Sequence, residues 1–164
     1  MPPSHEALGD ELIQLLPRLR RFARALAGNP HDADDLVQIA IERALAKSAQ
    51  LREGAPLSSW MFGILRNAWI DECRGRVRRN RLFVPEELGE RVADPTGGQQ
   101  AESLVVQAAV ASLPEEQREV IGLVLVEGLS YREAAEILSV PVGTVTSRLA
   151  RAREALQTWL GSGA

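Results

Sequence analysis

Ser130-Tyr131-Arg132-Glu133 fixes the start of a helix more tightly than any other stretch of the chain. It is a capping box: a serine and a glutamate three residues apart satisfy each other's free backbone amides, and Leu129 and Ala134 stand where a hydrophobic staple packs. The helix runs for about two turns. Ser139-Val140-Pro141 then forces a turn, because proline restricts the residue before it and cannot continue a helix, and a second helix runs on from Val142. Ala134 and Ala135 at the crossing allow close approach, so residues 130 to 156 read as a helix-turn-helix. In the second helix Val145, Leu149, Ala152 and Leu156 form the buried stripe, which turns Thr144, Thr146, Ser147, Arg148, Ala150 and Arg151 outward. Hydroxyls and guanidinium groups in the opening turns suit base edges and phosphates, and Ala150 offers a methyl contact to a thymine. The blander alternative is a helical hairpin with solvated arginines. The capping box, the proline turn and the polar opening face together favour the major groove of DNA.

Helical spacing also governs the rest of the chain. Leu8, Leu12, Leu15, Leu16, Leu19, Phe22 and Leu26 mark one or two helices, with Pro17 a break or a fresh first turn. After Asn29-Pro30, the residues Ala33, Leu36, Val37, Ala40, Ile41, Ala44 and Leu45 step by three and four. Gly54 and Pro56 interrupt the pattern between residues 51 and 59, and a third helix runs to about Arg79. A helix over roughly residues 101 to 112 follows, and Leu113-Pro114-Glu115-Glu116 opens another that Gly128 stops. No stretch alternates with the period of a strand, so the fold class is all-α: a helical domain over residues 7 to 81, a linker over 82 to 100 and a second helical domain over 101 to 161.

The formal net charge of -3 hides a segregation along the chain. Arg66, Arg74, Arg76, Arg78, Arg79 and Arg81 crowd residues 66 to 81 against Asp71 and Glu72 alone, a stretch suited to phosphates. Glu86, Glu87, Glu90, Asp94 and Glu102 follow among prolines and glycines, facing only Arg91, as in a flexible acidic linker. The single Cys73 excludes an internal disulfide and reads as a buried small apolar residue rather than a redox sensor. Two separated histidines offer no metal site, and no cofactor is expected. The opening Met1-Pro2-Pro3 lacks the order of a secretion signal, and no apolar run reaches the roughly 18 residues of a membrane span, so a cytoplasmic chain is expected. No nucleophile and base pair or phosphate-cradling glycine loop marks an enzyme.

Taken in order, Asp34-Asp35-Leu36-Val37-Gln38, the run from Ser59-Trp60-Met61-Phe62 through Arg66-Asn67, Leu113-Pro114-Glu115-Glu116-Gln117-Arg118, Gly128-Leu129-Ser130-Tyr131-Arg132-Glu133 and Val142-Gly143-Thr144-Val145 carry a resemblance that none carries alone. Over about residues 10 to 160 the chain resembles the extracytoplasmic-function (ECF) sigma factors of bacterial RNA polymerase, within the sigma-70 family. The resemblance implies sigma region 2 and sigma region 4 joined without a region 3. It implies that Asp35, Leu36 and Gln38 dock on the clamp helices of the polymerase β′ subunit, although an acidic first turn also simply stabilises its helix. The family often has an acid after the glutamine, where this chain has Ile39.

The loop over residues 51 to 59, with Leu51, Arg52, Glu53, Gly54 and Ser58, matches the segment that holds a base flipped from the −10 element, beside Phe62, Arg66 and Asn67. Trp60, also in this run, is expected to be mostly core. Arg74, Arg76, Arg78 and Arg79 would track the backbone. Thr144, Thr146, Ser147, Arg148, Ala150 and Arg151 would read the −35 element, with Tyr131 and Arg132 nearer phosphates, while Arg153 suits solvent or helix pairing equally. The implied partners are core RNA polymerase through its β′ and β subunits, promoter DNA as duplex and as unpaired non-template strand, and an anti-sigma factor. Two alternatives remain: a dimeric helix-turn-helix regulator of duplex operators, and a sigma mimic that titrates an anti-sigma factor.

Overall fold

A computed structural model describes residues 4–52, 54–82 and 98–162, all helix, turn or loop. Helix α1 spans His5–Ala27. The Ser4 hydroxyl caps it by accepting from the Ala7 N–H at 3.2 Å, and Gly28, in the left-handed region at φ 79°, ends it with its N–H on the Arg24 carbonyl. Pro17 lies inside this single helix rather than breaking it: its ring is exposed, and Leu8, Leu12, Leu19, Phe22 and Leu26 keep one buried stripe along both sides of it. Helix α2, Pro30–Ala46, starts with Asn29 accepting from the Asp32 N–H at 2.8 Å and with proline in the first turn. A 3₁₀ turn, Ser48–Gln50, leads toward α3, Leu57–Leu82.

The second half contains α4, Gly98–Ala111, and α5, Glu115–Val120, which widens into a π-helical stretch, Ile121–Val126. Helices α6, Tyr131–Leu138, and α7, Val142–Ser162, complete it. Helices α3 and α4 both extend into the span expected as linker, and residues 83 to 97, with most of the acidic cluster, lie outside the described residues.

Helices α1, α2 and α3 pack together as a first unit, and α5, α6 and α7 as a second. The units also touch: α1 lies against α4, α5 and the π stretch, and α3 against α6. One buried apolar cluster therefore runs through both, from Leu8, Phe22, Phe62 and Leu65 to Val120, Leu123, Val145 and Leu149. Phe22 and Phe62 meet edge to face at 5.4 Å. Gly122 makes the approach possible, since a Cβ there would lie 2.8 Å from the Phe22 ring. Burial of each such side chain contributes about 1.5–3 kcal/mol, more than an exposed ion pair.

Candidate nucleic-acid interface

The capping box forms as its spacing requires: the Glu133 N–H donates to the Ser130 hydroxyl at 3.1 Å, and the Ser130 N–H to the Glu133 carboxylate at 3.2 Å. Ser139, in the left-handed region at φ 56°, turns the chain between α6 and α7, and the Val140 N–H closes the turn on the Ala135 carbonyl at 3.1 Å. Val145, Leu149 and Ala152 are buried and Leu156 is half-buried, which leaves Thr146, Ser147, Ala150 and Arg151 exposed on one face of α7. Tyr131 and Arg132 are exposed at the start of α6, and Thr144 is half-buried. The Thr146 and Ser147 hydroxyls donate to the carbonyls of Val142 and Thr144 and keep lone pairs to accept from a ligand. Arg148 differs from its neighbours. It turns toward α3 and lies 3.8 Å from Glu116.

In the first unit the expected residues divide. Arg52, Gly54, Asn67, Arg74 and Arg78 are exposed, Leu51 and Ser58 are half-buried, and Glu53 lies outside the described residues. Phe62 is a correction: its side chain is fully buried against Phe22 with the Arg18 guanidinium over its ring, so it presents no stacking surface to a base. Trp60 is half-buried against the core. The arginine run divides too. Arg76 folds inward over the Trp69 ring and pairs with Asp32 at 3.0 Å, whereas Arg79 meets Glu72 at 3.3 Å and stays exposed. Arg66 points between the units, where its Nε meets Glu119 at 3.2 Å.

Helix α2 presents Asp35 and Gln38 to solvent, but Leu36 is buried in the core. Leu36 thus anchors the helix, while its edge also lines the groove beside Asp35 and Gln38. Asp35 and Gln38 line a groove of about 310 Å³ with Asp32, Ile39, Glu42 and Arg76, floored by Trp69, whose Nε1 is buried without a protein partner. The Asn29 amide and the Arg76 guanidinium together hold the Asp32 carboxyl below its ordinary range despite partial burial.

Nothing local in the sequence marks Glu119 or Glu127 as buried carboxylates. Glu127 is held by Arg18 at 3.0 Å and Arg21 at 3.3 Å, partners more than a hundred residues away. Burial raises the Glu119 carboxyl above its ordinary value, and Arg66 offsets only part of that. Cys73 is half-buried beside Glu115, and burial and that carboxylate push its thiol up to about 11, a poor state for redox chemistry.

Known proteins align with both units. Residues 103–156 match the family described as sigma-70, region 4, and residues 12–66 match the sigma2 domain of PhyR. The ECF RNA polymerase sigma factor EcfG of Rhodopseudomonas palustris is 39% identical over 158 residues, covering 96% of this chain and 87% of that protein. The chain belongs to the ECF sigma factors. As an ECF sigma factor it directs core RNA polymerase to specific promoters and assists initiation and promoter melting. Two solved structures share its fold. RpoE from Bartonella quintana, crystallised with the anti-sigma factor NepR, superposes with a TM-score of 0.78 at 34% identity, covering 94% of this chain and 96% of that one. CnrH, in complex with the cytosolic domain of CnrY, gives 0.72 at 28% identity over 97% and 90%. Among the described residues of this sigma factor, no helix is long and apolar enough to cross a membrane and no side-chain cluster is placed to hold a metal.

Proposed function

We propose that three surfaces divide the work of this sigma factor. Asp35 and Gln38 on α2, beside the acidic groove, dock on the clamp helices of the polymerase β′ subunit. The loop around Arg52 and Gly54, with Asn67 and Arg66, takes a base extruded from the unpaired non-template strand of the −10 element, and Arg74, Arg78 and Arg79 follow its phosphates. Thr146, Ser147, Ala150 and Arg151 on α7 read the −35 duplex, with Tyr131 and Arg132 beside the backbone. Polymerase performs the phosphoryl transfer, and the sigma factor supplies position and strand capture.

The observation that carries this reading is the face of α7, where the buried stripe leaves hydroxyls, a methyl and a guanidinium together in solvent behind a fully formed capping box. An anti-sigma factor is a further proposed partner, supported by the complex of the similar sigma factor RpoE with the anti-sigma factor NepR. Exposed Leu104, Val105, Leu125 and Val126 on the second unit give such a protein, or the polymerase β subunit, an apolar surface.

A pair of double variants in one assay tests the division. Ser147→Ala with Arg151→Ala should leave holoenzyme assembly intact and weaken promoter binding by roughly 1–3 kcal/mol for each base edge no longer read. Asp35→Ala with Gln38→Ala should impair assembly with core polymerase while circular dichroism stays unchanged. Wild-type promoter affinity in the first variant, or wild-type assembly in the second, would remove that surface from its role.

A further inference from the structure

Helix α3 carries basic side chains on two of its faces. Arg74 and Arg78, one turn apart, stand exposed on one face. Arg76 lies two residues from each of them, about 200° round the helix, and shares a face with Trp69 and Glu72. There its guanidinium meets Asp32 of α2 at 3.0 Å and Glu72 of its own helix at 3.7 Å, and lies 5.7 Å from the centre of the Trp69 ring. A planar cation set over a ring and against a carboxylate is held by its shape as well as by its charge.

That face is one wall of the groove beside the docking residues. Asp35, Gln38, Ile39 and Glu42 continue the opposite wall from Asp32 by helical steps along α2, and Arg76 is the one cation among the described residues that line the groove. The Asp32 side chain is 26% exposed and that of Asp35 62%, so the carboxylate beside Arg76 is held in place while the next is left open to a partner. To follow DNA phosphates with Arg74 and Arg78, Arg76 would have to leave Asp32 and the Trp69 ring and release one wall from the other.

We propose that Arg76 is a positioning residue for polymerase docking and not a DNA contact: by bridging Asp32 to Trp69 and Glu72, it sets the separation of α2 from α3 and so the presentation of Asp35 and Gln38. This rests on the reading of Asp35 and Gln38 as the docking surface. It also ties the helix that bears Arg74 and Arg78 to the helix that meets polymerase, so that the two faces keep one spacing.

Two binding measurements separate the roles. Assembly is followed by titrating the full chain, labelled with a fluorophore at its N-terminus, with bacterial core polymerase. Promoter affinity is measured with core polymerase in saturating excess over a range of salt. Arg76→Gln should weaken assembly at least about fivefold, the size of one ion pair and one cation–ring contact together. Its promoter affinity and salt dependence at saturating core should match wild type, whereas Arg74→Ala should lower the salt slope by about one. Arg76→Lys, whose ammonium still reaches Asp32, should recover most of the assembly. Asp32→Asn should weaken assembly as Arg76→Gln does, and the double variant should be no weaker than either, because both changes break one contact.

Wild-type assembly by Arg76→Gln, with assembly impaired in Asp35→Ala with Gln38→Ala, would overturn the positioning role and leave the docking surface standing. Wild-type assembly by both would overturn the docking surface and the positioning role with it. A salt slope lowered in Arg76→Gln as in Arg74→Ala would put Arg76 on phosphates and overturn the inference. Equal losses of assembly and promoter affinity in Arg76→Gln, together with a lowered urea midpoint, would overturn it too, since Arg76 would then serve only the fold.

Discussion

Glu127 has no accessible side-chain surface, and the two guanidinium groups that hold it come from the opposite unit. Removing both partners leaves a buried charge uncompensated, so Arg18→Ala with Arg21→Ala should destabilise the fold by about 3–5 kcal/mol in urea unfolding. Phe62→Ala should cost a similar amount, because it empties the centre of the core beneath Arg18. Glu119 adds a pH signature. Its folded carboxyl keeps its proton above the ordinary value of 4.5, so the folded state binds the extra proton in that window. The contribution of Glu119 to stability should be fully present below the ordinary value and lost as pH rises through the raised one, and Glu119→Gln should remove that part of the pH dependence. If the urea midpoints of wild type and Glu119→Gln ran parallel with pH, Glu119 would not be the group responsible. Asp35, Gln38 and Arg151 could be placed on the surface from their spacing alone. Leu36 already fell in the apolar stripe of its helix, but Phe62 could not be separated from surface neighbours, because a motif names residues without saying which of them hold the helix and which meet a partner.

At the scale of elements, caps and stripes carried most of the information. Ser4, Asn29 and Ser130 each cap the helix that follows, and the order of helices is legible from periodicity. Ser130→Ala should therefore lower stability by about 1 kcal/mol, read as a shift in the thermal midpoint without change in helix content at low temperature. Pro17 was harder to read. A proline in sequence signals a break, yet here α1 continues because packing of its buried stripe outweighs one missing backbone hydrogen bond. Pro17→Ala should then stabilise the protein, by up to about 3 kcal/mol; a neutral or destabilising result would mean that the proline serves the packing of α1. The π stretch Ile121–Val126 had no local signal either, since its position is tied to the contact of Gly122 with Phe22.

For the whole molecule, the contact between units was illegible because its pairs are distant in sequence: Arg66 meets Glu119 across 53 positions and Arg18 meets Glu127 across 109. Residue types at such separations carry no spacing rule, whereas a capping box does. The most direct measurement is transcription by bacterial core polymerase on a randomised promoter library, with start sites sequenced for wild type and Arg151→Ala side by side. Wild-type starts should share two upstream motifs, and Arg151→Ala should blur only the motif farther from the start. No chain-dependent starts, with the same polymerase active under another sigma factor, or an upstream motif untouched by Arg151→Ala, would contradict the assignment.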